Sequence, residues 1–491
     1  MEKKGEAMSL FATKSVDRIV AESEASKVHL KRTLGPGNLV ALGIGAIIGA
    51  GLFSLTGIAA ADNAGPAVVL SFVVAAIGCA FAGMCYSEFA TMIPIAGSAY
   101  TYAYATMGEL LAWIIGWYLV LEYAVGAATV SVSWSAYVAR LFERFGIHLP
   151  QSLIHCPWDE PAGLINLPAV FIIFLISALL MIGISESAKV NAVIVVLKVA
   201  IVITVICIGF AYVHPENYHP FLPPNTGTFG EFGWSGVMRA AAVIFFAYIG
   251  FDAVSTAAQE AKRPQRDMPI GIIGSLVVCT ILYVLFSRVL TGMVPYRSFH
   301  GDAAPVETVI NSFPYAWLQI AINVGIIAGY TSVILVMLLG QSRVFYAMSR
   351  DGLLPSVFSD IHSKWQTPYR CNLIFMFFVS LFSGFLPISN LGHMTSIGTL
   401  LAFVIVCIGI IVMRKTNPNA PRPYRTPFVP VVPILGVLVC FAMMASLDSL
   451  TWYRLVVWLV IGLTIYFTYS RKRSHLRLSE KADTTPLRSR I

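Results

Sequence analysis

Four glycines occur within nine residues of an apolar stretch, GIGAIIGAGLF at 43–53. Glycine weakens a helix and exposes its backbone, and an unpaired amide is costly where water is excluded. If a helix opens here, the amides of Gly49, Ala50 and Gly51 begin its second half, at the positive end of the helix dipole, which attracts an anion. The first half then ends in carbonyls that suit an ammonium group. The break therefore predicts a site for a zwitterion, of which an α-amino acid is the simplest.

Close packing of helices is an alternative explanation for the same glycines. Gly45 and Gly49 have the spacing that is typical of close helix packing in membranes, and glycine content alone does not separate the two interpretations. A second interrupted apolar stretch, FFAYIGFDA at 245–253, carries Gly250 and Asp252. It lies five predicted helices after the first. Two interrupted helices at matching positions of two halves indicate a transporter with inverted repeats and a site at the membrane midplane.

Four ionisable residues lie within apolar stretches: Glu88, Glu122, Lys198 and Asp252. A charge at membrane depth is costly, so these residues are candidates for function. The nine histidines are scattered and mostly in loops, and the eight cysteines suggest no CxxC metal site. We therefore expect no catalytic cluster, no metal and no cofactor.

The composition places these candidates in a membrane. The chain of 491 residues is 57% hydrophobic and only 12% charged, which leaves too little polar surface for a globular protein in water. A helix needs roughly 20 apolar residues to cross a hydrocarbon core of about 30 Å. Twelve such stretches are predicted, at 39–60, 66–93, 108–139, 165–184, 191–213, 235–258, 270–294, 316–340, 371–387, 391–413, 427–447 and 452–470.

The basic residues predict the orientation of these helices. With the amino terminus in the cytoplasm, 26 of the 33 Lys and Arg residues lie in tails and cytoplasmic loops, and three lie in outer loops. Both termini are therefore expected in the cytoplasm. The net charge of +8 then belongs to the inner membrane surface, and no nucleic-acid partner is expected.

The predicted fold is all-α, with twelve transmembrane helices in a 5+5 inverted-repeat arrangement and with helices 1 and 6 broken at the midplane. An odd number of helices in each repeat inverts the second copy. The predicted segments are a cytoplasmic amino-terminal segment at 1–38, a first repeat at 39–213, a second repeat at 235–413, helices 11 and 12 at 427–470, and a cytoplasmic tail at 471–491.

Five segments of the two halves carry a family resemblance. They are LKRTLGPGNLVALGIGAIIGAGLF at 30–53, YSEFATMIPIAGSAYTYAYATMGELLAWIIGWYLVLEYAVG at 86–126, NAVIVVLKVAIV at 191–202, FFAYIGFDAVSTAAQEAKRPQRDMPIGI at 245–272, and GQSRVFYAMSRDGLLP at 340–355. The chain resembles amino acid permeases of the amino acid–polyamine–cation superfamily, in the branch of the cationic amino acid transporters and their bacterial relatives. The resemblance implies a LeuT-like fold.

The resemblance also implies where a substrate binds. It assigns the substrate carboxylate to the amides of Ala50 and Gly51, with Gly49 beside them. It assigns the α-ammonium group to the carbonyls of Ile47, Phe246, Ala247 and Ile249. Many relatives have Ser or Thr in place of Ala50, so a hydroxyl contact to the carboxylate is not expected in this chain.

The positions expected to face the substrate side chain are all apolar: Ile48, Phe246, Ile249 and Met337. Met337 stands where cationic transporters of animals carry a small polar residue. The predicted substrates are therefore neutral amino acids, small or aliphatic, such as alanine, serine, valine or methionine. A transporter of arginine or lysine, or an amino acid exchanger, is the alternative, because methionine is flexible and can swing aside. An amino acid sensor built on a transporter scaffold is a more distant alternative.

Lys198 is predicted to couple transport to protons. In the resembling family a lysine at this position faces helices 1 and 8, where sodium-coupled relatives bind a sodium ion, and a buried amine that titrates can replace that ion. The alternative is a lysine that reaches back to the inner membrane surface. Glu122 and Asp252 are predicted to support Lys198, either by sharing one proton or only by fixing helix 6 against helix 3.

These expectations describe a secondary active transporter that imports L-amino acids by alternating access with a proton, and they describe no enzyme. The expected partners are the amino acid, protons and the lipid bilayer, and the oligomeric state is left open. The expected location is the inner (plasma) membrane of a bacterium.

Overall fold

The computed structural model describes residues 10, 12–14, 34–93, 98–183, 188–256, 258 and 261–478. This part of the chain is helical, and its β structure is a single bridge between Leu34 and Ala261. Seven helices are long and apolar enough to cross a membrane, and five further apolar helices are shorter. The prediction of an all-α membrane protein is confirmed at this level.

In the described part of the first half of the chain, seven helices follow one another beside a short turn of helix at Gln151–Ile154. Pro36 begins the first of them, at a position where the missing amide proton of proline is not needed. At Gly65, φ is +59°, a left-handed conformation that favours glycine and separates the second helix from the third. The helices are α1 (Pro36–Ile47), α2 (51–64), α3 (Val68–Met92), α4 (Ser98–Thr106), α5 (Glu109–Arg144), α6 (Leu167–Met181) and α7 (Ala188–Gly209).

The described part of the second half contains nine helices of six residues or more. One of them, Ala316–Arg350, continues well beyond the predicted end at 340, because the polar segment that follows is also helical. The helices are α8 (Gly233–Tyr248, whose last turn is a 3-10 helix), α9 (Phe251–Thr256), α10 (Pro264–Met293), α11 (Pro305–Ile310), α12 (Ala316–Arg350), α13 (Tyr369–Phe385), α14 (Ile388–Thr416), α15 (Val431–Ser446) and α16 (Ser449–Ile465).

Two of the predicted interruptions are breaks in the structure, and they lie against each other. The first separates α1 from α2 and the second separates α8 from α9. At Gly250, φ is +115°, and a Cβ atom there would lie 2.8 Å from the carbonyl of Ala46. A Cβ atom on Gly51 would overlap the backbone of Ala247. Glycine is therefore required at positions 51 and 250, where the two breaks cross.

The predicted amino-terminal segment, 1–38, lies mostly outside the described residues. Of its described residues, 34–38 lead into α1, and 10 and 12–14 lie beside the junction of α4 and α5. The Lys14 amide donates to the carbonyl of Tyr104, and the Glu109 amide donates to the carbonyl of Ala12. Nothing in the sequence predicted this contact.

Candidate substrate site at the crossed helix breaks

The start of α2 presents backbone amides to the crossing point. Ile48 is extended, while its amide still donates to the carbonyl of Ile44 at 2.9 Å. The amides of Leu52 and Phe53 both donate to the carbonyl of Gly49, at 3.1 and 3.2 Å. The amides of Gly49, Ala50 and Gly51 therefore precede the first helical donors, and this buried end of α2 is suited to an anionic group.

The end of α1 and the last turn of α8 present carbonyls at the same level. The hydroxyl of Tyr283, on α10, lies 3.0 Å from the carbonyl oxygen of Ile47 and 2.8 Å from that of Ala247. Each carbonyl has two lone pairs, so both keep the capacity to bind an ammonium group. The Phe246 carbonyl accepts a bond from the amide of Ile249 at 3.2 Å. Sequence reasoning missed Tyr283, because nothing in its segment distinguishes it from other tyrosines in apolar helices.

The four side chains predicted to face the substrate side chain are all buried: Ile48, Phe246, Ile249 and Met337. The Met337 thioether lies against Gly126 of α5, where a Cβ atom would be 3.2 Å from its sulfur and 3.5 Å from the methyl group of Thr395. Gly126 therefore provides the space that Met337 occupies. One turn earlier on α12, Val333 lies 3.4 Å from the Cβ position of Gly49, so one face of α12 extends from the amide end to this apolar region.

Lys198 lies beside the broken helix. Its side chain is 1% exposed, and its ammonium group donates to the carbonyl of Gly45, in α1, at 2.7 Å. A Cβ atom on Gly329 of α12 would be 3.0 Å from the Cε atom of Lys198. The amine thus lies between α1 and α12.

The structure also brings Glu122 and Asp252 together. Glu122 lies on a π-helical segment of α5, Leu121–Val125, and its carboxyl group is close to that of Asp252 and to the hydroxyl of Thr399. The Tyr123 hydroxyl donates to Asp252 at 2.6 Å, which joins α5 to α9. Both carboxylates are fully buried.

Aromatic packing closes one side of the site in this structure. Phe53 packs edge-on against Phe286 and Tyr330, and the Tyr137 hydroxyl donates to the Phe53 carbonyl at 2.7 Å. On the same side, Arg144 forms an ion pair with Glu307 of α11.

Three buried or half-buried carboxylates, each with its own hydrogen-bond partners, hold the opposite side of the structure together. Glu88 accepts two bonds from Arg414, both at 2.9 Å, and one from the Thr426 amide at 2.7 Å. Asp351 accepts from Lys14 at 2.9 Å and from Tyr100 at 2.7 Å.

The third of these carboxylates, Glu109, was not among the sequence candidates. It accepts from Arg477 at 2.7 Å, from Tyr466 at 2.8 Å and from Ser474. Segments near both ends of the chain therefore contribute to the closure on this side, through Lys14 and Arg477.

Within the described residues, no group of three or more His, Cys, Asp or Glu side chains is arranged to hold a metal ion. The chemistry available at the crossed breaks is therefore that of backbone amides, backbone carbonyls, one tyrosine hydroxyl and the Lys198 amine. These groups suit reversible binding of a small zwitterion.

Comparisons with known proteins agree with this chemistry. The sequence profile of the family described as amino acid permease matches residues 34–466. The branched-chain amino acid permease BcaP of Bacillus subtilis (strain 168) is 47% identical over 470 residues, covering 95% of this chain and 99% of that protein. The methylthioribose transporter of the same organism is 44% identical over 469 residues, with the same coverage. Cationic amino acid transporter 4 of Homo sapiens is 35% identical over 408 residues, covering 82% of this chain and 63% of that protein.

Proposed function

The chain belongs to the amino acid permease family, and from that premise we propose that it imports neutral L-amino acids with small or aliphatic side chains, coupled to protons. The observation that carries the proposal is the crossing of the two helix breaks. There, the buried amides of Gly49, Ala50 and Gly51 lie beside carbonyls of α1 and α8. A zwitterion satisfies both sets of backbone groups at once.

In the proposed binding mode, the substrate carboxylate accepts from the amides of Ala50 and Gly51. The α-ammonium group donates to carbonyls among Ile47, Phe246, Ala247 and Ile249. Tyr283 holds Ile47 and Ala247 at a fixed separation, which supports a preformed ammonium site. Because these contacts are made by the backbone, they recognise any α-amino acid and leave the side chain to decide selectivity.

The surroundings of the side chain favour neutral substrates. Ile48, Phe246, Ile249 and Met337 are apolar and buried, and a cationic side chain among them would lose its hydration. The similarity to a branched-chain amino acid permease supports the same class. The relative that is described as a cationic amino acid transporter is less similar, which leaves arginine and lysine as the less favoured substrates.

Methylthioribose is a second candidate, because a relative described as its transporter is 44% identical. Its thioether suits the apolar surroundings of Met337. Methylthioribose is a neutral sugar, however, and has no charged groups for the amides and carbonyls at the breaks. The geometry of the breaks therefore favours an amino acid.

Proton coupling is proposed to depend on Lys198. In its protonated form the amine donates to the Gly45 carbonyl and ties α7 to α1. Loss of the proton weakens this bond and loosens α1, which would favour a second conformation. Glu122 and Asp252 are proposed to support the cycle from the other side of the broken helices.

The proposed transport cycle alternates access between the outer and the inner side. The outer closure at Phe53 and Arg144 and the inner closure at Glu109 and Asp351 would open in turn. In this proposal the chain has twelve membrane-spanning helices in a 5+5 inverted-repeat arrangement. Both termini lie in the cytoplasm, and the membrane is the inner membrane of a bacterium.

Counterflow in proteoliposomes tests the substrate class. Vesicles loaded with unlabelled valine would receive labelled valine, leucine, alanine, methionine, arginine, lysine or methylthioribose. We expect exchange of the neutral amino acids and little exchange of arginine or lysine. Exchange of methylthioribose alone would replace the proposal by the second candidate. Exchange of arginine in preference to valine would overturn the neutral assignment and leave the family membership unchanged.

A further inference from the structure

A buried acidic cluster lies close to the crossed breaks and is not needed for the binding mode proposed above. Its members are Tyr86 of α3, Tyr102 of α4, Glu122 of α5, Asp252 and Ser255 of α9, and Thr399 of α14. We refer to these six residues as the acid chamber. All six are buried, with exposures of at most 1%. Five separate helices converge on it, so the chamber lies inside the helix bundle.

The chamber contains buried polar atoms that the described residues do not satisfy. Both carboxylate oxygens of Glu122 and the hydroxyls of Tyr86, Tyr102 and Ser255 have no hydrogen-bond partner in the described part of the chain. Each buried polar group left in this condition costs about 1–3 kcal/mol. A protein that keeps several such groups together is expected to fill the space with a polar ligand or water.

These groups lie near one another. The rings of Tyr86 and Tyr102 are 6.2 Å apart, and the Tyr86 hydroxyl is near the carboxyl groups of Glu122 and Asp252. The Tyr102 hydroxyl is close to Ser255, which lies on the same helix as Asp252. The unsatisfied oxygens therefore form one cluster and are not scattered through the core.

The charge of the chamber is one-sided. In the described part of the chain, no lysine or arginine forms an ion pair with Glu122. A buried carboxyl group in this condition, beside a second carboxyl group and several hydroxyls, favours a small cation that can donate several hydrogen bonds.

The chamber lies between the substrate site and the cytoplasmic side. Glu122 is about one helical turn, or roughly 5 Å, before Gly126 on α5, and Thr399 is one turn after Thr395 on α14. Gly126 and Thr395 both line the space that holds Met337. At its other end the chamber reaches Tyr102 of α4, a helix that also contacts the amino-terminal segment through Tyr104.

We propose that the acid chamber is a second, transient substrate site on the cytoplasmic exit route, which binds the primary ammonium group of the amino acid after it leaves the crossed breaks. The inference rests on the proposed function. An ammonium group has three donors, which match the carboxylate oxygens of Glu122 and Asp252 and the hydroxyls around them. The chamber holds one positive charge at a time, so the arriving ammonium group competes with a proton shared by the two carboxyl groups.

The test uses an amine without a carboxylate, which cannot occupy the amides of α2. Isobutylammonium carries the side chain and the ammonium group of valine, and isovalerate carries the side chain and the carboxylate. Each would be added to valine counterflow in inside-out and right-side-out membrane vesicles. We expect isobutylammonium to inhibit at the cytoplasmic face more strongly than at the outer face, and isovalerate to show no such preference.

Glu122→Gln removes the charge with little change of shape. It is expected to weaken inhibition by cytoplasmic isobutylammonium by about tenfold or more, the effect of losing a charge-assisted hydrogen bond. Asp62→Asn is the matched control, because Asp62 is a carboxylate at the outer end of α2, far along the chain from the chamber. The control is expected to leave the inhibition unchanged.

Two results would overturn the inference. One is inhibition by isobutylammonium that is equal at the two faces. The other is inhibition that Glu122→Gln leaves unchanged while altering only the pH dependence of transport, which would identify a proton site alone. If Glu122→Gln does not fold, Tyr86→Phe and Ser255→Ala replace it, each expected to weaken inhibition about threefold. A wild-type protein that exchanges no amino acid would instead refute the proposed function itself.

Discussion

Glu109 and Glu122 lie on the same helix, α5, and both are 0% exposed, yet their surroundings are opposite. Glu109 accepts hydrogen bonds from Arg477 at 2.7 Å, from Tyr466 at 2.8 Å and from Ser474. Neither oxygen of Glu122 has a partner in the described part of the chain. Burial alone therefore does not identify a functional carboxylate in a membrane protein. A satisfied carboxylate is expected to hold the structure together, and an unsatisfied one is expected to bind something that comes and goes.

The largest expected effect is on stability, at Glu109. Glu109→Ala leaves the buried guanidinium group of Arg477 without its carboxylate, and breaking a buried pair in this way costs about 3–5 kcal/mol. The measurement is thermal unfolding of the purified protein in detergent, monitored by a thiol-reactive dye. A melting temperature equal to that of the wild type would show that the Glu109 network does not stabilise the inner closure.

The opposite result is expected at Glu122. Glu122→Gln removes a buried charge that lacks partners, so its melting temperature is expected to stay close to that of the wild type, within about 1 kcal/mol of stability. Valine uptake is expected to fall about tenfold or more, since a charge-assisted contact is lost. The same unfolding assay and an uptake assay on one preparation check both values. A strongly lowered melting temperature with normal uptake would show instead that Glu122 stabilises the structure and does not act in transport.

The Tyr283 hydroxyl has hydrogen-bond partners, as the Glu109 carboxylate does, but it lies at the proposed ligand position. Tyr283→Phe removes the bridge between the carbonyls of Ile47 and Ala247, and it is expected to raise the KM for valine by about threefold to tenfold. Tyr118→Phe is the control, because the Tyr118 hydroxyl of α5 donates to the Leu455 carbonyl of α16, a helix outside the proposed site. Equal KM values for the two variants would remove Tyr283 from the binding site.

The smallest expected effect is on stability, and it concerns the hydrogen-bonded pair of His300 and Asp62 at the surface. His300 lies 2.6 Å from Asp62, whose hydrogen bond and charge raise the pKa of the histidine. The stabilisation is fully present below the ordinary histidine pKa of about 6.5 and is lost as the pH rises through the higher pKa of the folded protein. The His300 side chain is 78% exposed, so the effect is expected to be about 0.2–1 kcal/mol.

Melting temperatures of the wild type and of His300→Gln, measured between pH 5.5 and 8, check this prediction. The difference between the two proteins should shrink as the pH rises. A difference that grows with pH would contradict the assignment of the raised pKa to the Asp62 pair.

The two helix breaks and the buried lysine could be predicted from the sequence, because each signal lies within a single apolar segment. The breaks at Gly49 and Gly250 are marked by glycines inside apolar stretches, and the buried charge of Lys198 is visible in its helix. The partners of these groups could not be predicted in the same way. Tyr283 and Gly126 resemble many other residues of apolar helices, and their roles arise only from contacts with distant segments.

The same limit applies to Glu109. Its main partner, Arg477, lies 368 positions away in a segment that reads as an ordinary basic tail. Glu122 and Asp252 were identified as candidates because they are charged, while the difference between satisfied and unsatisfied carboxylates required the structure. The sequence therefore shows which charged residues are unfavourable to bury in a membrane. Only the contacts in the structure show which of these charges have hydrogen-bond partners.

Valine accumulation in proteoliposomes with an inward proton gradient is the decisive check on proton coupling through Lys198. It compares the wild type with Lys198→Met, which keeps the length of the side chain but removes the amine bonded to Gly45. We expect the wild type to accumulate valine only with the gradient, and Lys198→Met to lose accumulation while it still exchanges valine without a gradient. Gradient-driven accumulation by Lys198→Met at the wild-type level would show that this amine does not couple transport to protons.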